Sequence, residues 1–232
     1  MYPILFFHGT PGNDHQANAF RAFSFTKIIT YDRKHISPWD GPAHLLALSG
    51  GGPYALEYAA TYPEKAKSLT LWSALTSPAT GDFPPRLFGR ILINTAGKWA
   101  LKNKPFWIWK QWLKANTCSQ TVYDHAINDH RSQGMFWQVL KSQIPFKLDR
   151  QLRDEIDFLK KYQFKHGQLG LPTMIVHDVN DNNVPLHNAE SIQAHLTNLV
   201  AYHKLCSTGH LCFFGEQAQT TMKKWSEWIM SI

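Results

Sequence analysis

His44-Leu45-Leu46-Ala47-Leu48-Ser49-Gly50-Gly51-Gly52-Pro53-Tyr54-Ala55-Leu56 reads as a buried strand, a serine, a glycine run and the start of a helix. Leu45 to Leu48 are apolar without alternation, as suits a strand covered on both faces. From Pro53 to Tyr62, the residues Tyr54, Ala55, Tyr58, Ala59 and Tyr62 recur at helical intervals, and Pro63 stops the run. Small residues, Ala47 and Gly51, stand two positions before and after Ser49. A sharp strand-to-helix turn that lifts a serine oxygen out of a sheet requires this, because bulk at those positions collides within the strained turn. Ser49 is thus a candidate nucleophile, set against the plainer reading of a glycine-rich turn with an inert serine. The helix beyond it offers free N–H groups and a partial positive charge to a developing oxyanion, with Gly50 as the first donor.

Upstream, Pro3-Ile4-Leu5-Phe6-Phe7 is a short apolar run that ends in His8-Gly9-Thr10-Pro11-Gly12, a strand leading into a tight loop. Thr10 in that loop is the candidate second oxyanion donor through its N–H. Residues 26–32, TKIITYD, form another strand candidate, and residues 68–75, SLTLWSAL, a further one. Downstream, PTMIVHD at 172–178, a helix from Asn188 to Thr197, LVAYHKL at 199–205 and a last helix through Trp225 and Trp228 restore the alternation of strand and helix. The pattern predicts an α/β fold with a mostly parallel sheet covered by helices on both faces.

A serine nucleophile needs a base, and the base an orienting carboxylate. Asp181 lies three residues beyond PTMIVHD in a turn-rich loop, and His210 follows the final strand in Ser207-Thr208-Gly209-His210. Asp178 is a rival for the acid. His8 reads as a hydrogen-bonding residue of its loop, and His125 and His130 as solvent-facing. His177, Asp178 and Asp181 lack the converging partners a metal needs, so neither a metal nor a cofactor is expected.

Residues 79–166 break the alternation. Helical periodicities carry Trp99, Phe106, Trp107, Trp109, Trp112, Phe136 and Trp137, so the segment reads as an inserted helical cap, and residues 1–78 with 167–232 as the core. Residues 86–166 hold fifteen Lys and Arg against six Asp and Glu, whereas the rest of the chain holds nine against eleven. The net charge of +7 therefore sits in this one segment, where a solvated helical face explains it better than nucleic acid. With 232 residues, 44% of them apolar, the chain can build a core without staples, and collagenous, disordered and coiled-coil classes are excluded. No run is long enough to span a bilayer, and PILFF is too short and lacks the basic flank of a signal peptide, so a cytoplasmic protein is expected. Cys118, Cys206 and Cys212 are odd in number and without CxxC spacing, which suits reduced, mostly core-filling thiols.

Together HGTPG, ALSGGGPYAL, VNDNNVP and GHLCFF resemble the α/β-hydrolase superfamily from the first strand to the last. The resemblance implies a triad of Ser49, Asp181 and His210, an oxyanion hole from Thr10 and Gly50, and a cap after SLTLWSAL. It implies acyl transfer, with a carboxylic ester of a small apolar or aryl-acyl group as substrate. A thioesterase, a carbon–carbon hydrolase or a non-catalytic small-molecule binder of the same fold are the alternatives. Two departures stand out: only seven residues stand before HGTPG, where the family usually has further strands, and only Arg33 to Pro42 stand where a crossover helix usually precedes HLLALSG. Ten extended residues reach about 33 Å, enough to return along a strand but not to make a helix. Either this sheet face lacks a covering helix and exposes apolar surface, or the two strands leave their usual places, or the sequence is an internally shortened version of a longer protein. Poor stability and solubility are expected.

Overall fold

A computed structural model describes residues 1–10, 12–33, 36–79, 103, 105–130, 133–134, 138 and 148–232. Six strands form one sheet: β1 (Ile4–Phe7), β2 (Ile28–Thr30), β3 (Ala43–Leu48), β4 (Ala66–Trp72), β5 (Thr173–Asp178) and β6 (Leu199–Leu205). Their order is β2-β1-β3-β4-β5-β6, and every neighbouring pair is parallel. Among the described residues the α-helices are α1 (Asn18–Arg21), α2 (Gly52–Thr61), α3 (Pro105–Asn116), α4 (Gln120–Asn128), α5 (Leu148–Lys161), α6 (His187–Gln193) and α7 (Gly215–Met230). The expected strands and flanking helices thus form within a few residues of their anticipated ends, and α3, α4 and α5 all fall between β4 and β5.

Alternation along the strands divides the core in two, since successive side chains leave a strand on opposite faces. Leu5, Phe7, Leu45, Ala47, Leu69, Leu71 and Ile175 meet Ala55, Leu56, Tyr58 and Ala59 of α2 on one face. Ile4, Phe6, Leu46, Leu48, Trp72, Met174 and Val176 meet Phe20, Met222, Trp225 and Ile229 on the other. Phe20 sits edge-on to Trp72 and Trp225, at 5.2 and 5.7 Å between ring centroids. Each such aromatic pair adds about 0.5–1.5 kcal/mol beyond the area it buries. Both indoles are also satisfied: Trp72 Nε1 donates to the Cys212 carbonyl at 2.9 Å, and Trp225 Nε1 to Thr70 Oγ1 at 3.0 Å.

The short link between β2 and β3 crosses the end of β1 without a helix among its described residues, yet the sheet face beneath it is not bare. Ile36 and Trp39 pack against the cluster that holds Phe7 and Tyr58. Tyr31 Oη donates to the Ser37 carbonyl and accepts from Ser37 N, while Trp39 N donates to Tyr58 Oη at 3.0 Å. Two phenols of the core therefore replace the missing helical hydrogen bonds, and two large side chains replace its apolar face. The expected uncovered surface is corrected accordingly.

The helices between β4 and β5 join an apolar cluster separate from those on the sheet. Ile108, Trp109 and Leu113 of α3, Val122 and Ala126 of α4, and Leu152 and Ile156 of α5 pack with Leu211 and Phe214 from the loop after β6. Phe106 and Trp107 face outward, so only part of the aromatic stripe is core. Trp99, Phe136 and Trp137 lie outside the described residues. Among the described residues no helix is long and apolar enough to cross a membrane.

Candidate active site

The loops at the carboxyl ends of the parallel strands meet above the sheet, where an α/β architecture places its ligands. Ser49 follows β3 with φ +49°, in the left-handed region that only glycine enters without cost. Close packing explains how this strain is held. A Cβ on Gly51 would come within 2.0 Å of the Phe7 carbonyl oxygen, and one on Gly52 within 1.9 Å of the Leu75 carbonyl oxygen. The glycine run thus lets the start of α2 press against the ends of β1 and β4. The Ser49 carbonyl also accepts from Leu75 N at 2.9 Å.

His210 Nε2 lies 3.1 Å from Ser49 Oγ, and its Nδ1 lies 2.8 Å from Asp181 Oδ2. A carboxylate can only accept, so Nδ1 carries the proton and Nε2 is left to accept from the serine hydroxyl. Asp181 is buried, and its Oδ1 accepts from Asn183 N and Val184 N, both at 2.9 Å. Its two oxygens are therefore divided between fixing the loop and orienting the histidine.

Asp178, the rival acid, is engaged elsewhere: Oδ1 accepts from Asn180 N at 2.8 Å, and Oδ2 from Thr208 N and Thr208 Oγ1 at 2.7 and 2.8 Å. It clips the β5 loop to the loop that bears His210. His177 donates from Nε2 to the Val184 carbonyl at 2.7 Å, and burial lowers its pKa. Among the described residues, no group of three or more His, Cys, Asp or Glu converges to hold a metal ion.

Thr10 and Gly50 come close together beside Ser49: a Cβ on Gly50 would reach 2.4 Å from Thr10 Oγ1, and one on Gly9 3.1 Å from Ser49 Cβ. Gly9 N donates to Gln16 Oε1 at 2.7 Å, and His8 Nδ1 to the Gly9 carbonyl at 2.9 Å. Burial, with Arg33 nearby, lowers the His8 pKa to about 3. His8 is therefore neutral and serves its loop, not proton transfer.

Two interactions here were invisible in the sequence. Arg33 donates from Nη1 to the His8 carbonyl at 2.9 Å and to Thr10 Oγ1 at 3.2 Å, and pairs through Nη2 with Glu155 Oε1 at 2.7 Å. Thr10 Oγ1 donates to the same carboxylate oxygen. The second is Asn116, buried at the end of α3. Its carbonyl accepts from His210 N at 3.0 Å, and its side-chain oxygen accepts from Asn183 Nδ2. Glu155, which pairs with Arg33, and Asn116, whose carbonyl accepts from His210 N, both come from between β4 and β5 and belong to no motif.

The thiols are free, but only Cys212 is buried; Cys118 and Cys206 are exposed, which corrects the core-filling expectation for those two. His125 and His130 are exposed, as read from the sequence.

A family model described as alpha/beta hydrolase fold matches residues 10–217. The uncharacterized hydrolase YcgS of Bacillus subtilis (strain 168) is 26% identical over 208 residues, covering 77% of this chain and 65% of the relative. The chain thus spans about two thirds of the length of that curated relative, at 65%. Among solved structures, an alpha/beta hydrolase fold protein from Nakamurella multipartita superposes with a TM-score of 0.77 at 16% identity, over 97% of this chain and 91% of that one. A thermophilic esterase from Thermogutta terrifontis gives a TM-score of 0.61 at 16% identity, over 100% and 90% of the two chains.

Proposed function

Since the chain belongs to the alpha/beta hydrolase fold family, we propose that it is a serine hydrolase in which Ser49, His210 and Asp181 form the catalytic triad. The observation that supports this most is the placing of His210 between Asp181 and Ser49 at hydrogen-bond distance on both sides. Ser49 Oγ attacks the substrate carbonyl carbon while its proton passes to His210 Nε2, and the carbonyl electron pair moves to oxygen. Thr10 N–H and Gly50 N–H receive that oxyanion. As the intermediate collapses, the bond to the leaving alcohol breaks and His210 returns the proton to the departing oxygen. Water then attacks the acyl-enzyme by the same route, giving the carboxylic acid and restoring the Ser49 hydroxyl. Asp181 stays ionised and stabilises the imidazolium of each step.

The substrate in this reading is a carboxylic ester with a small apolar or aryl acyl group. Leu75, Leu159 and Val184 form an apolar cluster beside the reacting atoms, and Leu159 reaches to 3.1 Å from where a Gly50 Cβ would stand. In this reading residues 79–166 are the cap, and its helix α5 reaches the site through Leu159.

The test is labelling by a serine-directed fluorophosphonate, which requires nucleophile, base and oxyanion donors at once. Probe should attach at Ser49, and Ser49→Ala should lose labelling and at least about 10³-fold of the ester hydrolysis rate. Equal hydrolysis by the two proteins would leave a small-molecule binder of this fold as the better reading.

A further inference from the structure

Glu155 belongs to α5, one turn before Leu159, the residue that roofs Gly50. Its carboxylate gathers the Arg33 guanidinium and the Thr10 hydroxyl on one oxygen, and the Arg33 side chain is only 9% exposed. Through its other nitrogen, Arg33 holds the His8 carbonyl, and its guanidinium carbon lies 4.9 Å from the centre of the Tyr54 ring, on the helix that Ser49 opens. Tyr54 in turn packs on Phe158 of α5 at 5.3 Å. The His8–Thr10 loop is thus tied to α5 by a charge pair drawn largely out of water, where unpairing either member is costly.

We propose that Glu155 is a positioning residue for the oxyanion donors, holding Thr10 opposite Gly50 only while α5 is seated on the nucleophile helix. The inference rests on the serine-hydrolase reading and adds a residue that touches no substrate in it. Its physical content is a coupling: α5 and the donor loop meet on one carboxylate oxygen, so displacing the helix breaks the Thr10 tie outright and leaves Arg33, which holds the His8 carbonyl, without its counter-charge. A charge this buried explains why α5 carries a carboxylate on its inward face where an apolar residue would otherwise pack.

The experiment combines amide hydrogen exchange at Gly9 and Thr10 with the rate of fluorophosphonate labelling at Ser49, on the full chain. Glu155→Ala should speed exchange of both amides and slow labelling roughly tenfold, a part of the about 10²–10³ that losing one oxyanion donor costs. Glu155→Gln retains an acceptor oxygen for Thr10 and Arg33 and should recover most of the labelling rate. The double change Arg33→Met with Glu155→Leu leaves no charge unpaired, so it should fold even where the single change does not. It should still label slowly, because the His8 carbonyl and Thr10 have lost their anchor. Unchanged exchange in Glu155→Ala and in the double variant would overturn the proposal, as would faster exchange with undiminished labelling. A wild-type chain that takes no probe would reject the hydrolase reading instead, and the exchange arm would still decide whether Glu155 holds the loop.

Discussion

Asp178 ends β5 and Asp181 stands three positions on in the loop that follows, and their hydrogen bonds separate their roles. Asp181 spends one oxygen on His210, so Asp181→Asn should lower kcat by about 10⁴, through loss of the correct imidazole tautomer, with thermal denaturation changed little. Asp178 is buried and accepts three hydrogen bonds, one within its own turn and two from Thr208 that join it to the loop before His210. Asp178→Ala should therefore cost about 3 kcal/mol in urea unfolding, because it strands the Thr208 donors. The opposite pattern in the two variants would exchange their roles. In the sequence both aspartates are legible as acids beyond a strand, but not which one turns toward His210. That choice depends on Thr208, a residue thirty positions away that captures Asp178. The serine was easier to read, because small-x-Ser-x-small states a backbone constraint within five consecutive residues, and the φ of +49° at Ser49 is that constraint realised.

At the level of elements, the glycine run after β3 and the link after β2 carry the most consequence. Gly51→Ala would drive a methyl group into the Phe7 carbonyl oxygen, which is backbone and has nowhere to go. It should cost several kcal/mol, about 3 or more, and chiefly reduce the yield of folded protein. In the link, Tyr58→Phe leaves Trp39 N without its partner and should lower unfolding free energy by about 1–2 kcal/mol while leaving α2 helical. The strands were readable because each is a short apolar run bounded by turn residues. The α1 turn was not, since four residues, Asn18–Arg21, are too few to show a period. The covering of β1 was not readable either: a linker too short for a helix looks bare until Ile36 and Trp39 are seen packing. Glu155 shares this character, lying 145 positions from the Thr10 it binds.

For the whole molecule, the buried histidines set the response to acid. An unfolded histidine titrates near 6.5, whereas burial lowers His8 to about 3 and His44 to about 4. Below pH 6.5 the unfolded chain takes up protons that the folded chain refuses, so stability is greatest above that value and declines as pH falls toward 3. The melting temperature should drop steadily from pH 7 to pH 4, and His44→Gln should flatten the upper part of that slope. A melting temperature independent of pH across this window would contradict the assignment.

The hydrogen bond from Ser49 to His210 spans 161 positions of chain. Between the two residues lie the whole insertion and strands β5 and β6, and the helix that seals the sheet face against Phe20 and Trp72 is α7, beyond His210. A ribosome makes the elbow early and the histidine late. In the proposed triad, a growing chain halted anywhere before position 210 therefore carries the serine and its glycines without the histidine that would draw the proton, so the site can be completed only after β5 and β6 have been made.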